Sequence, residues 1–137
     1  MIRTYRWKIA GIAAAGTALA LTFPASASAG TTGAGSWDYV GSSSFYEVNG
    51  VYYSHPVKSH GGNFKACIYT STSGKRAYAL YEDDVNNYDD KVGSVRQQVA
   101  GGCETWDVSG AVDGDNHRAE LYIATNDSRA YKVKYYD

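Results

Sequence analysis

Phe45-Tyr46-Glu47-Val48-Asn49-Gly50-Val51-Tyr52-Tyr53-Ser54 sets two short strand-forming runs on either side of Asn-Gly. Asn-Gly is the preferred centre of a two-residue type I′ turn because both positions need positive φ, and four strand-forming residues flank it on each side. The stretch predicts an antiparallel hairpin, Phe45–Val48 against Val51–Ser54.

The same grammar continues along the chain. Pro56 and Gly61-Gly62 punctuate a loop, after which Asn63–Thr70 alternates Phe64, Ala66 and Ile68 against Lys65, Cys67 and Tyr69. A turn at residues 71–74 and a Tyr-rich strand at 75–81 predict a second hairpin. Val95, Gln97 and Val99 recur at period two within 92–99, and a strand at 103–108 follows Gly101-Gly102, which predicts a third pair. Residues 118–124 put Ala119, Leu121 and Ile123 on one face, and the last strand puts Tyr131, Val133 and Tyr135 opposite Lys132 and Lys134. Beyond the N-terminal region no segment carries a sustained apolar stripe of period 3.6, and no period of 20 to 50 residues repeats. The expected class is all-β: an antiparallel β-sandwich or small barrel of eight or nine short strands.

The N-terminus carries a different signal. Arg3, Arg6 and Lys8 precede an apolar run at residues 9–21, and Ala27-Ser28-Ala29 forms a small-residue cleavage site, so residues 1–29 read as a secretory signal peptide. That run is too short to cross a hydrocarbon core of about 30 Å as a helix. The expectation is a secreted, extracellular protein without a membrane span. Cleavage removes three of the 13 basic residues and none of the 14 acids, so the net charge moves from −1 to −4, which argues against nucleic acid. Gly30, Thr31, Thr32, Gly33, Ala34, Gly35 and Ser36 carry no anchoring side chain. They are expected to form a flexible arm that can dock on a partner, ahead of a single domain at 37–137.

Two cysteines, Cys67 and Cys103, in an oxidising compartment predict one disulfide. Closing such a loop is worth about 3–4 kcal/mol in the chain-entropy treatment. Trp106 is expected in the core beside it.

Few residues suggest chemistry. Glu82-Asp83-Asp84-Val85-Asn86-Asn87-Tyr88-Asp89-Asp90 gathers five carboxylates between two strands. Oxygen donors on a flexible loop suit Ca²⁺, which makes Asp83, Asp84, Asp89 and Asp90 candidate ligands, with Asp113-Gly114-Asp115-Asn116 as a second source. The competing reading is a solvated loop whose charges block strand pairing. His55, His60 and His117 are too scattered for a zinc site. Ser59-His60-Gly61-Gly62 lacks a partnering Gly-x-Ser-x-Gly turn, so a non-enzymatic role is expected and no cofactor is assigned. Tyrosine is abundant, 13 in all, including Tyr39, Tyr46, Tyr52, Tyr53, Tyr78, Tyr81, Tyr88, Tyr122, Tyr135 and Tyr136. It is a good strand former and also a low-entropy contact residue for proteins or carbohydrate.

Four resemblances accompany this reading. The acidic run with Leu80-Tyr81 before it and Lys91-Val92-Gly93 after it resembles an acidic loop of C2-type sandwiches. Phe64-Lys65-Ala66-Cys67, Ala79-Leu80-Tyr81-Glu82-Asp83-Asp84, Gly102-Cys103, Val112-Asp113-Gly114-Asp115-Asn116, Ala119-Glu120-Leu121-Tyr122 and Tyr135-Tyr136-Asp137 resemble a group of small secreted actinobacterial proteins of unassigned function. That resemblance implies a shared β-fold and disulfide but no chemistry. Trp37-Asp38-Tyr39, Tyr53-Ser54-His55 and His60-Gly61 are similar to the lactococcin 972 class of secreted bacteriocins, although length and disulfide depart from it. In size, export and disulfide the chain is also similar to the small linking subunit of umbrella toxin particles. The expected function is an extracellular binding module, an adaptor or structural subunit of an antibacterial toxin complex. A directly acting effector and a peptidase inhibitor are the alternatives.

Overall fold

The structure, a computed structural model, describes residues 36–85, 87–113 and 116–137. The expected signal peptide at 1–29 and the expected arm residues Gly30, Thr31, Thr32, Gly33, Ala34 and Gly35 lie outside the described residues, whereas Ser36 lies within them and is exposed.

Ten strands follow in order: β1 (Tyr39–Ser43), β2 (Phe45–Val48), β3 (Val51–Ser54), β4 (Val57–Ser59), β5 (Asn63–Thr70), β6 (Arg76–Glu82), β7 (Asp90–Gln98), β8 (Cys103–Asp107), β9 (Ala119–Thr125) and β10 (Ala130–Tyr136). The β2–β3 hairpin forms as predicted. Asn49 and Gly50 both take positive φ, 51° and 82°, which is the type I′ requirement, and Val48 faces Val51.

Two antiparallel sheets result, one ordered β1-β10-β5-β8 and the other β2-β3-β9-β6-β7, with β4 also pairing β9. β5 and β10 of one sheet and β6 and β9 of the other each have one apolar face, and these faces meet as a sandwich core. Phe64, Ala66 and Ile68 of β5 with Val133 and Tyr135 of β10 form one wall, and Tyr78, Leu80, Leu121 and Ile123 form the other. Phe64 and Tyr135 stack with ring centroids 5.4 Å apart.

Two of the predicted hairpins do not form. β5 and β6 lie in different sheets, and so do β7 and β8. A hairpin would have placed both apolar faces on one wall and left them uncovered; crossing between sheets makes each cover the other. After β7 the chain is captured by β5 instead of returning along β7. Gly101 N–H donates to Ile68 O at 2.7 Å and Ile68 N–H donates to Gly102 O at 3.0 Å, after which Cys103 falls opposite Cys67.

The Cys67–Cys103 disulfide is present. Trp106 is in the core as expected, donating Nε1–H to Ser94 O at 3.1 Å. It is not beside the disulfide, because Trp106 opposes Phe64 on the inner face while the three-residue offset puts Cys103 on the outer one. β10 departs from its predicted pattern at its start. A register shift between Ala130 and Lys132 turns Ala130 inward and leaves Tyr131 exposed. β1 and β4 were not predicted, being short segments in which Gly41, three serines and Pro56 hide the strand signal.

Candidate tyrosine and carboxylate recognition site

Strand alternation sorts the tyrosines into two populations. Tyr78 and Tyr135 point into the core and are buried. Tyr46 on β2, Tyr53 on β3, Tyr122 on β9 and Tyr81 on β6 come from neighbouring strands of the six-stranded sheet and form a row on its outer face. Consecutive ring centroids lie 6.0 Å apart for Tyr46 and Tyr53, 6.1 Å for Tyr53 and Tyr122, and 5.6 Å for the stacked Tyr122 and Tyr81. The ladder creates this row, since Tyr46 is opposite Tyr53 and Tyr81 is opposite Tyr122. His55 extends it, 5.0 Å from Tyr46.

Two carboxylates stand over the row. Asp83 follows the end of β6, and its N–H donates to Glu120 O at 2.8 Å. Asp89 is fixed from two sides: Tyr122 donates its hydroxyl to Oδ2 at 2.6 Å and the Asp84 N–H donates to Oδ1 at 3.3 Å. Tyr46, Tyr53, Pro56, Tyr122, Asp83 and Asp89 line an open pocket of about 400 Å³. Burial, then the neighbouring Asp89 and Glu120, raises the Asp83 carboxyl above its ordinary range. Burial and the hydrogen bond to Asp89 likewise push the Tyr122 hydroxyl up, so it remains a proton donor at neutral pH.

The pocket takes two of the four predicted calcium ligands, while Asp84 lies within electrostatic reach of the other three. Asp83 and Asp89 line the tyrosine pocket, and Asp84 and Asp90 do not. Asp84 and Asp90 belong instead with Glu82, which ends β6 on the inner face and is only 6% exposed. Its Oε1 has no hydrogen-bond partner among the described residues. Burial, followed by repulsion from Asp113, Asp84, Asp90 and Glu120, raises the Glu82 carboxyl to about 7. Among the described residues, no three His, Cys, Asp or Glu side chains are gathered closely enough to hold a metal ion. Sequence reasoning passed over Glu82, although its even spacing from the inward-facing Tyr78 and Leu80 carried the signal.

The remaining candidates are scattered. Ser59 Oγ donates to Asp137 Oδ1 at 2.6 Å and His60 Nδ1 is 3.8 Å from Asp137 Oδ2, so the serine hydroxyl is held by the aspartate and not by the imidazole. On the opposite sheet the chemistry is inverted. Lys65 Nζ sits 4.4 Å from the Trp37 ring and 4.7 Å from that of Tyr136, and Lys134 Nζ sits 5.4 Å from Tyr69.

Comparison with known proteins gives a consistent picture. Residues 39–135 match the family described as the YndA coiled coil domain. The chain is 38% identical over 124 residues to the protein named Uncharacterized protein YndA of Bacillus subtilis (strain 168), covering 87% of this chain and 89% of that one. No solved structure matches. The matched stretch is built of strands here, so the coiled coil in the family's description has no counterpart among the described residues.

Proposed function

The chain belongs to the YndA family, and we propose that it is a secreted, non-enzymatic binding module whose six-stranded sheet docks a protein partner outside the cell. The observation that carries this reading is the row Tyr46, Tyr53, Tyr122 and Tyr81 on an outer sheet face, beside a pocket of about 400 Å³. Tyrosine offers large contact area with little side-chain entropy to lose, and a rigid sheet holds the rings ready. Export rests on the leader at residues 1–29, and the arm at 30–36 is a second contact in this reading. A role as adaptor or structural subunit of an extracellular assembly, such as an antibacterial toxin complex, fits a small disulfide-bonded sandwich that presents one recognition face.

The test is recovery of partners from culture medium on tagged wild-type protein and on Tyr53→Ala, with mass spectrometry as readout. Loss of a stoichiometric partner in the variant, at unchanged Tm, supports the sheet face. Equal recovery by both moves the contact elsewhere.

A further inference from the structure

We propose that the pocket between Tyr46, Tyr53, Tyr122, Asp83 and Asp89 is a receptor for an arginine side chain of the partner; this rests on the binding reading above and names what that face recognises.

The cavity is lined by the Tyr46, Tyr53 and Tyr122 side chains together with two carboxylates, Asp83 and Asp89. Ring faces attract a cation, and a guanidinium can stack on tyrosine while its fork of N–H groups donates to carboxylate oxygens. A neutral ligand would leave the charge of Asp83 and Asp89 unanswered. Among the described residues the ion pairs are Lys58 with Glu120 and His60 with Asp137, so none of them neutralises Asp83 or Asp89. Lys91 lies opposite Tyr81 in the ladder and pairs with neither of them.

The distribution of internal cations carries the argument further. Among the described residues, the rings that hold a cation are Trp37, Tyr136, Trp106 and Tyr69, occupied by Lys65, Arg96 and Lys134. Those of Tyr46, Tyr53, Tyr81 and Tyr122 hold none. The fold thus places its own lysines on the tyrosines of one sheet and carboxylates, without cations, beside the tyrosines of the other. Asp89 is also pre-positioned. The Tyr122 hydroxyl and the Asp84 N–H fix its carboxylate before any ligand arrives, which lowers the ordering cost of binding. Pairing with a guanidinium would offset the burial, and with it the repulsion from Asp89 and Glu120, that raise the Asp83 carboxyl.

The probe is the blocked tripeptide acetyl-Gly-Arg-Gly-amide, titrated into ¹⁵N-labelled protein and compared with the citrulline tripeptide, its neutral isostere, and with chitohexaose. Saturable shifts confined to Tyr46, Tyr53, Asp83, Asp89 and Tyr122 are expected with the arginine peptide. They should weaken about tenfold in Asp83→Asn/Asp89→Asn and fall with added salt. The Asn variants retain a hydrogen-bond acceptor for Tyr122, and an unchanged Tm confirms that they fold. Equal binding of the citrulline peptide, a preference for chitohexaose, or no shift at the pocket overturns the proposal. In the partner-recovery experiment, a partner lost in Tyr53→Ala but retained in the double Asn variant leaves the binding reading standing without arginine recognition. A partner retained by both variants moves the contact off this sheet face and overturns the arginine site with it.

Discussion

Ser54 and Tyr135, 81 residues apart in sequence, meet in the core with their hydroxyl oxygens 2.5 Å apart, joining the two sheets through a polar contact inside the apolar layer. Ser54 Oγ also accepts the Ile123 N–H at 2.9 Å, so this one serine satisfies a central strand and its facing sheet together. Unpaired buried polar groups cost about 1–3 kcal/mol each. Tyr135→Phe is expected to lower stability by about 1–2 kcal/mol, since it removes one hydroxyl and leaves Ser54 with Ile123. Ser54→Ala removes the side-chain acceptor of the Ile123 N–H and one of the two partners of the Tyr135 hydroxyl, and should cost about 2–4 kcal/mol. Urea denaturation of both variants checks the order; a larger loss in Tyr135→Phe would assign the contact's value to packing and not to the hydrogen bonds.

The disulfide links β5 to the edge strand β8, directly opposite each other in the ladder. The oxidised protein should show no reactive thiol under denaturing conditions, and Cys67→Ser/Cys103→Ser should lose about 3–4 kcal/mol while keeping its β signature. Two titratable thiols in wild-type protein would count against the bond.

What was legible in the sequence was each strand's own face, not its partner. Asn49-Gly50 specifies its turn by backbone conformation, so that hairpin could be read locally. Residues 71–74 and 99–102 look equally like hairpin turns, yet both connect different sheets, because the choice depends on which apolar faces must cover each other. The site divides the same way. Tyr46, Tyr53, Tyr122 and the acidic run were visible as composition, but their convergence comes from the order β2-β3-β9-β6, which brings residues 76 positions apart onto one surface. Glu82 was hidden among its acidic neighbours because its inward direction is a property of β6, not of the loop that follows.

Asp127 is a buried acid with the opposite electrostatics from Glu82. It accepts from Thr72 Oγ1 at 2.6 Å and Tyr78 Oη at 2.8 Å, as well as from the Arg129 N–H at 3.1 Å. Burial alone would push its carboxyl up, but the hydrogen bonds from Thr72, Thr70 and Tyr78 together outweigh burial and hold it below the usual range. A depressed folded value means stability that is present above the unfolded value near 3.9 and is lost as pH falls through the folded one. Asp127→Asn should therefore destabilise at pH 7 by about 1–3 kcal/mol and by less at pH 2, read from thermal melts at the two pH values.

Glu82 should give the protein a stability that declines with rising pH. Its carboxyl is raised from 4.5 to about 7 in the fold, by burial first and then by Asp113, Asp84, Asp90 and Glu120. Below pH 4.5 it is protonated in both folded and unfolded chains and costs nothing. Between 4.5 and 7 the unfolded chain releases the proton while the fold retains it, so stability falls across that window and levels off above it. The shift corresponds to roughly 3 kcal/mol at full development. Glu82→Gln keeps the shape and removes the charge, so it should raise Tm at pH 8 and leave it unchanged at pH 4. Calcium provides a second readout of the same carboxylates: a rise in Tm with millimolar Ca²⁺ over EDTA at pH 8, abolished in Asp84→Asn/Asp90→Asn, would show that a cation offsets their repulsion. Equal Tm in Ca²⁺ and EDTA would leave this end of the sandwich a solvated acidic loop around one buried carboxylate. If Glu82→Gln is no more stable than wild type at pH 8, the buried carboxyl has found a partner or solvent in solution, and the pH slope must come from other groups.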